Sequence, residues 1–102
     1  MIETFNNQPP KSIGFEVLPV TDEVAGLANI PDTATSALIQ IETDVEDSKA
    51  IRFREDGLDD PTAEEGMFNS VAFDLQSRES LLNFRVIQGT PGTTSLNVTY
   101  YK

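Results

Sequence analysis

The feature that most constrains this chain is the alternation of apolar and polar residues at period two, in short runs closed by glycine, proline or a polar cluster. A β-strand sends successive side chains to opposite faces, whereas a helix repeats near 3.6 residues, so such runs select strands. The clearest is Lys49-Ala-Ile-Arg-Phe-Arg-Glu-Asp-Gly57. There Ile51 and Phe53 point one way and Arg52 and Arg54 the other, ahead of an acidic turn.

Other runs follow the same rule. Residues 13–19 place Ile13, Phe15 and Val17 on a core face opposite Gly14 and Glu16, with Pro19 closing the strand. Residues 35–45 set Ile39, Ile41 and Val45 against Gln40, Glu42 and Asp44. Further on, Val71, Phe73 and Leu75 form one apolar set and Leu82, Phe84 and Val86 another; the last run, 96–101, puts Tyr100 and Tyr101 on opposite faces. Residues 20–34 lack a sustained period and read as a covering connection with a short strand in it. Near the acidic turn, Asp60 as a cap, Pro61 at a first helical position and Gly66 at an end predict one helical turn.

A one-residue slip in register turns every side chain over, so antiparallel partners sharing a face have residue numbers with an even sum. Three hairpins meet that condition. The first joins 35–45 to 49–54 through Glu46-Asp47-Ser48, with Ile41 opposite Phe53 and Glu42 opposite Arg52 as an ion pair. The second sets Leu75 opposite Leu82 and Phe73 opposite Phe84 across Ser77-Arg78-Glu79-Ser80, and the third sets Val86 opposite Leu96 across Gly89-Thr-Pro-Gly-Thr93. The expected fold is all-β: a small antiparallel β-sandwich of jelly-roll or immunoglobulin-like topology, with six to eight strands. A length of 102 residues suits one domain with one modest core, over residues 12–102. Residues 1–11 read as an extended arm, because Pro9 and Pro10 withhold backbone donors from pairing.

The chain has neither cysteine nor histidine, which removes thiolate and imidazole as nucleophiles, bases or metal ligands. Its lysines are scattered at Lys11, Lys49 and Lys102, and its acids lie on watery turns rather than in apolar surroundings that would raise a carboxyl pKa. No catalytic residue, cofactor or metal ligand is therefore assigned, and no enzyme is expected. Glu55, Asp56, Asp59 and Asp60, with Glu64 and Glu65, offer oxygens of the kind Ca²⁺ takes, but without EF-hand spacing; a solvated turn is the expectation. A net charge of −10 opposes binding to nucleic acid or an anionic membrane, since such affinity comes from Lys and Arg and only seven are present. No apolar stretch is long enough for a membrane helix, and no secretory signal is visible, so maturation in the cytoplasm is expected. The sequon Asn97-Val98-Thr99 then carries no glycan.

Several strings together carry a resemblance: Val24-Ala-Gly-Leu27, Ser36-Ala-Leu-Ile-Gln-Ile-Glu-Thr43, Ile51-Arg-Phe-Arg-Glu-Asp-Gly57, Pro61-Thr-Ala63 with Gly66-Met67, Leu82-Asn-Phe-Arg-Val-Ile87 and Leu96-Asn-Val-Thr-Tyr-Tyr101. They resemble a group of small proteins encoded among the head and tail genes of tailed bacteriophages and prophages. The shared pattern is I-R-[FW]-R-x-D-G, then P-T-A, then G, borne here by Ile51, Arg52, Phe53, Arg54, Asp56, Gly57, Pro61 and Gly66. Leu58-Asp59-Asp60 and residues 46–49 are longer than the usual links of that group. The resemblance implies a virion structural protein, and within it a capsid decoration, or cement, protein that bridges neighbouring capsomers on the outer head surface. It implies the major capsid protein as partner and a homo-oligomer, a trimer by analogy. Candidate partner contacts are Ile2, Phe5, Pro9 and Pro10 in the arm and Asp59 and Asp60 in the long loop. A tail, neck or fibre-attachment component is the first alternative, and a carbohydrate-binding module with Tyr101 exposed is the second.

Overall fold

The structure, a computed structural model, describes residues 11–69 and 71–102. Among the described residues seven strands form two antiparallel sheets packed face to face: β1 (Ser12–Val20), β2 (Ser36–Thr43), β3 (Ile51–Arg54), β4 (Met67–Asn69), β5 (Phe73–Leu75), β6 (Arg85–Gln88) and β7 (Thr94–Tyr101). One short helix, α1 (Arg78–Asn83), joins β5 to β6. The larger sheet has the order β1-β7-β2-β5 and the smaller one β4-β3-β6. The expected all-β sandwich is the fold.

The core lies between the sheets. Ala37, Ile39, Leu96, Val98 and Tyr100 enter it from the larger sheet, and Ile51, Phe53 and Val86 from the smaller. Phe53 of β3 stacks on Phe73 of β5 at 4.6 Å, and Phe84 closes the group at 5.7 and 6.2 Å. These rings bridge the two sheets, and such pairs contribute about 0.5–1.5 kcal/mol each beyond their buried area.

None of the three expected hairpins forms. β2 pairs with β7 and β5, so Ile41 faces Leu96 and Glu42 faces Ser95, while β3 pairs with β6 and β4 in the other sheet. Glu42 and Arg52 make no ion pair: Asn97 Nδ2 donates to Glu42 at 3.1 Å, and Arg52 donates to the Gly66 carbonyl at 3.0 Å. Phe53 faces Val86, not Ile41, and Leu75 faces Ala37, not Leu82. The reason is geometric. The even-sum rule restricts any antiparallel partners that share a face, including strands distant in sequence, so short loops alone do not select neighbours.

Two further expectations are corrected. Ser77-Arg78-Glu79-Ser80 is not a hairpin loop but the start of α1, where the Ser77 side chain accepts from the Ser80 amide and Glu79 sits in the first turn. Helical spacing then buries Leu81 and leaves Leu82 half exposed. Residues 60–66 form no helix. Thr62, rather than Asp60, closes a tight turn by accepting the Glu64 and Glu65 amides at 3.2 and 2.9 Å. The short strand expected in 20–34 is a single bridge from Ala25 to Val86.

β1 departs furthest. A bulge between Ser12 and Gly14 lets Ile13 pack against the core and then reverses the faces. Phe15 and Val17 point outward, 59% and 54% exposed, while Glu16 and Val20 are buried.

Candidate interaction surface

The motif residues assemble first, as a brace. Ile51 and Phe53 are core, and their partners on the outer side of β3 are held by the loop that follows. Arg54 Nη2 lies 2.5 Å from Asp56 Oδ2, with Asp59 more loosely placed at 3.8 Å. The Asp56 carboxylate also accepts the Leu58 amide at 3.2 Å, which closes an Asx turn at Gly57. Gly57 has φ +73° and Gly66 φ +124°, both in the region that side chains with a Cβ rarely adopt. Pro61 is fully buried, and a Cβ on Gly66 would stand 3.1 Å from it and 3.2 Å from the Phe53 carbonyl. The Arg54 hydrogen bond holds the Asp56 carboxyl below the usual carboxylate range, with help from the Leu58 amide. Asp56 in turn raises the Arg54 guanidinium. The motif thus shapes the β3–β4 connection and presents no reactive group.

Asp59 and Asp60, expected as partner contacts, are exposed on this loop and line a shallow recess with Asn83 and Arg85. Among the described residues no three acidic side chains converge to hold a metal ion. Ile2, Phe5, Pro9 and Pro10 lie outside the described residues.

The sequence alone missed the surface that the fold builds around β1. Glu16 is turned inward, where its carboxylate accepts the Ala28 amide at 3.2 Å, the Asn29 amide at 2.9 Å and the Tyr100 hydroxyl. These three donors satisfy a buried charge that would otherwise be strongly unfavourable. Burial first, and then the bond to Glu16, raise the Tyr100 hydroxyl far above its ordinary pKa. With Glu16 anchored inside, Phe15 and Val17 must face out.

Register places Phe15 beside Thr99 and Leu38, Val17 beside Asn97 and Gln40, and Pro19 beside Ser95 and Glu42. The outer face of the larger sheet is therefore apolar along β1, neutral and polar along β7, and acidic only toward Glu42 and Asp74. A shallow cleft of about 330 Å³ opens on the β5 side of this face, lined by Ser36, Leu38, Asp74, Gln76 and Tyr101. The outer face of the smaller sheet differs: Lys49 and Arg52 each lie 5.2 Å from the Phe68 ring, and Arg54 and Arg85 stand opposite each other.

No family model, curated protein or solved structure matches this chain.

Proposed function

We propose that this chain is a structural component of a tailed-phage virion, a capsid decoration protein that binds the major capsid protein on the outer head surface and bridges capsomers. The observation that carries the reading is the apolar row of Phe15 and Val17 on an edge strand of a strongly acidic sandwich. Exposed apolar side chains grouped on a strand edge suit contact with another protein surface. The resemblance of the Ile51–Gly57, Pro61 and Gly66 pattern to small head and tail proteins supplies the setting, and a net charge of −10 favours a place away from packaged DNA.

In this reading each copy buries about 1,200–2,000 Å² against its partners, and many such contacts stabilise the shell by mass action. The expected arm, residues 1–11, docks in this reading on the capsid subunit. Quantitative mass spectrometry of purified particles tests the assignment. A copy number comparable to the major capsid protein is expected. A handful of copies points instead to the tail, neck or fibre attachment, and absence from particles refutes the reading. Deleting residues 1–10 should abolish binding to undecorated capsids while the fold persists.

The cleft at Tyr101 supports a second reading, a carbohydrate-binding module, because an aromatic ring beside Asp74 and Gln76 can stack on a sugar and bond its hydroxyls. Glycan-array binding lost in Tyr101→Ala would favour it.

A further inference from the structure

We propose that the free edge of β1 pairs, antiparallel and across a two-fold axis, with β1 of a second copy of this chain, so that the two larger sheets become one continuous sheet. This inference does not depend on the virion reading: it uses the backbone edge of β1, whereas the capsid contact uses the outward face of Phe15 and Val17.

The four sheet edges are treated very differently. β4 and β5 are three residues each, too short to template another strand. The outer edge of β6 is covered: Ala25 exchanges hydrogen bonds with Val86 at 3.0 and 2.9 Å, and Gln88 donates to the Thr21 carbonyl at 2.9 Å. β1 runs for nine residues and, among the described residues, its backbone pairs on the β7 side alone. Soluble proteins blunt such edges with lysine, prolines, bulges or an inward charge that a new partner strand would leave without donors. Here the bulge at Ser12–Gly14 and Pro19 mark the two ends of a regular stretch, and between them no charged side chain faces outward. The single charge in the strand, Glu16, is spent inside the molecule on Tyr100 and two amides.

Charge selects the occupant and its direction. Two copies of a chain at −10 repel over most approaches, yet the ends of β1 carry opposite signs. Lys11, bonded through its backbone to Lys102, precedes the strand, and exposed Asp22 and Glu23 follow it. Antiparallel pairing about an axis at Val17 sets Lys11 of each copy opposite Glu23 of the other, with Asp22 next to it. It also brings Phe15 and Val17 of both copies into one row, where each covers part of its counterpart.

Sedimentation of the full chain tests the pairing. The expected results are a dimer for the natural sequence, a monomer with unchanged circular dichroism for Val17→Lys, and a dissociation constant raised about tenfold by Lys11→Glu, a change outside the strand. Lys11→Glu combined with Glu23→Lys should recover the dimer. A monomeric natural sequence, a trimer, a dimer indifferent to Val17→Lys, or a monomer that dimerises only once residues 1–10 are removed would each overturn the proposal. The last result would mean that the arm occupies the edge.

Discussion

β1 and β3 carry the same alternating pattern and use it in opposite senses. In β3 the apolar positions Ile51 and Phe53 are buried and the charged ones face out. In β1 the apolar Phe15 and Val17 face out and the charged Glu16 is buried. Alternation identifies a strand with two unlike faces, but which face turns inward depends on what meets it. For β3 the answer is the ring cluster of Phe73 and Phe84; for β1 it is a ready-made set of donors, the Tyr100 hydroxyl and the Ala28 and Asn29 amides. A carboxylate with three donors is a tolerable core group, and the apolar residues then become available at the surface.

The largest test of that contrast compares two phenylalanines. Phe53→Ala should lower unfolding stability by about 3–5 kcal/mol, since it empties a packed site, whereas Phe15→Ala should change it by less than about 0.5 kcal/mol. Chemical denaturation of both variants reads the difference, and equal losses would show that Phe15 is core after all. Next in size is the anchor itself. Glu16→Ala leaves two amides and a hydroxyl without their acceptor and should lose roughly 1–3 kcal/mol, with Glu16→Gln recovering part of it. If Glu16→Leu instead stabilised the fold, the buried carboxylate would not be what orients β1.

Smaller still, Gly57→Ala should lose about 1–2 kcal/mol by placing a side chain in the left-handed region against Asn83, while Ala63→Gly in the same exposed loop changes little. The mildest effect is on pH. Asp56 has a folded-state pKa below its unfolded value of about 3.9. Its contribution is therefore present above that value and is lost as pH falls through the lower one. Acid titration of Asp56→Asn should show a shallower loss of stability than the natural sequence. Tyr100 works at the other end: its raised pKa means a contribution that is complete below about 10 and fades as pH climbs. Tyr100→Phe should remove that alkaline loss.

Much of the sandwich was legible in the residues. The inward faces of β2, β3, β5 and β7 follow from Ile39, Ile51, Phe53, Leu75 and Leu96 at period two. Pairing was not legible, because parity constrains partners without naming them, and here most connections cross between sheets. β4 was invisible: three residues are too few for a period, and Val71, read as part of the next apolar face, is exposed. The signal for α1 was present in Ser77, three residues before Ser80, but Leu82 and Phe84 in the strand pattern outweighed it. The surface around β1 was missed for a single reason: Glu16 looked like the solvent side, and nothing local indicated that Tyr100, far along the chain, would supply it with a partner.

The position of β7 has a further consequence for how the molecule is made. It is the strand that links β1 to β2, and it comes last in chain order. Until Thr94–Tyr101 arrives, neither neighbour has its main ladder, and closing it requires ends that are most of the chain apart. Folding should accordingly fall in the slower, millisecond-to-second regime of proteins built on distant pairings, and a product truncated before Thr94 would leave two sticky strands for chaperones or inclusion bodies.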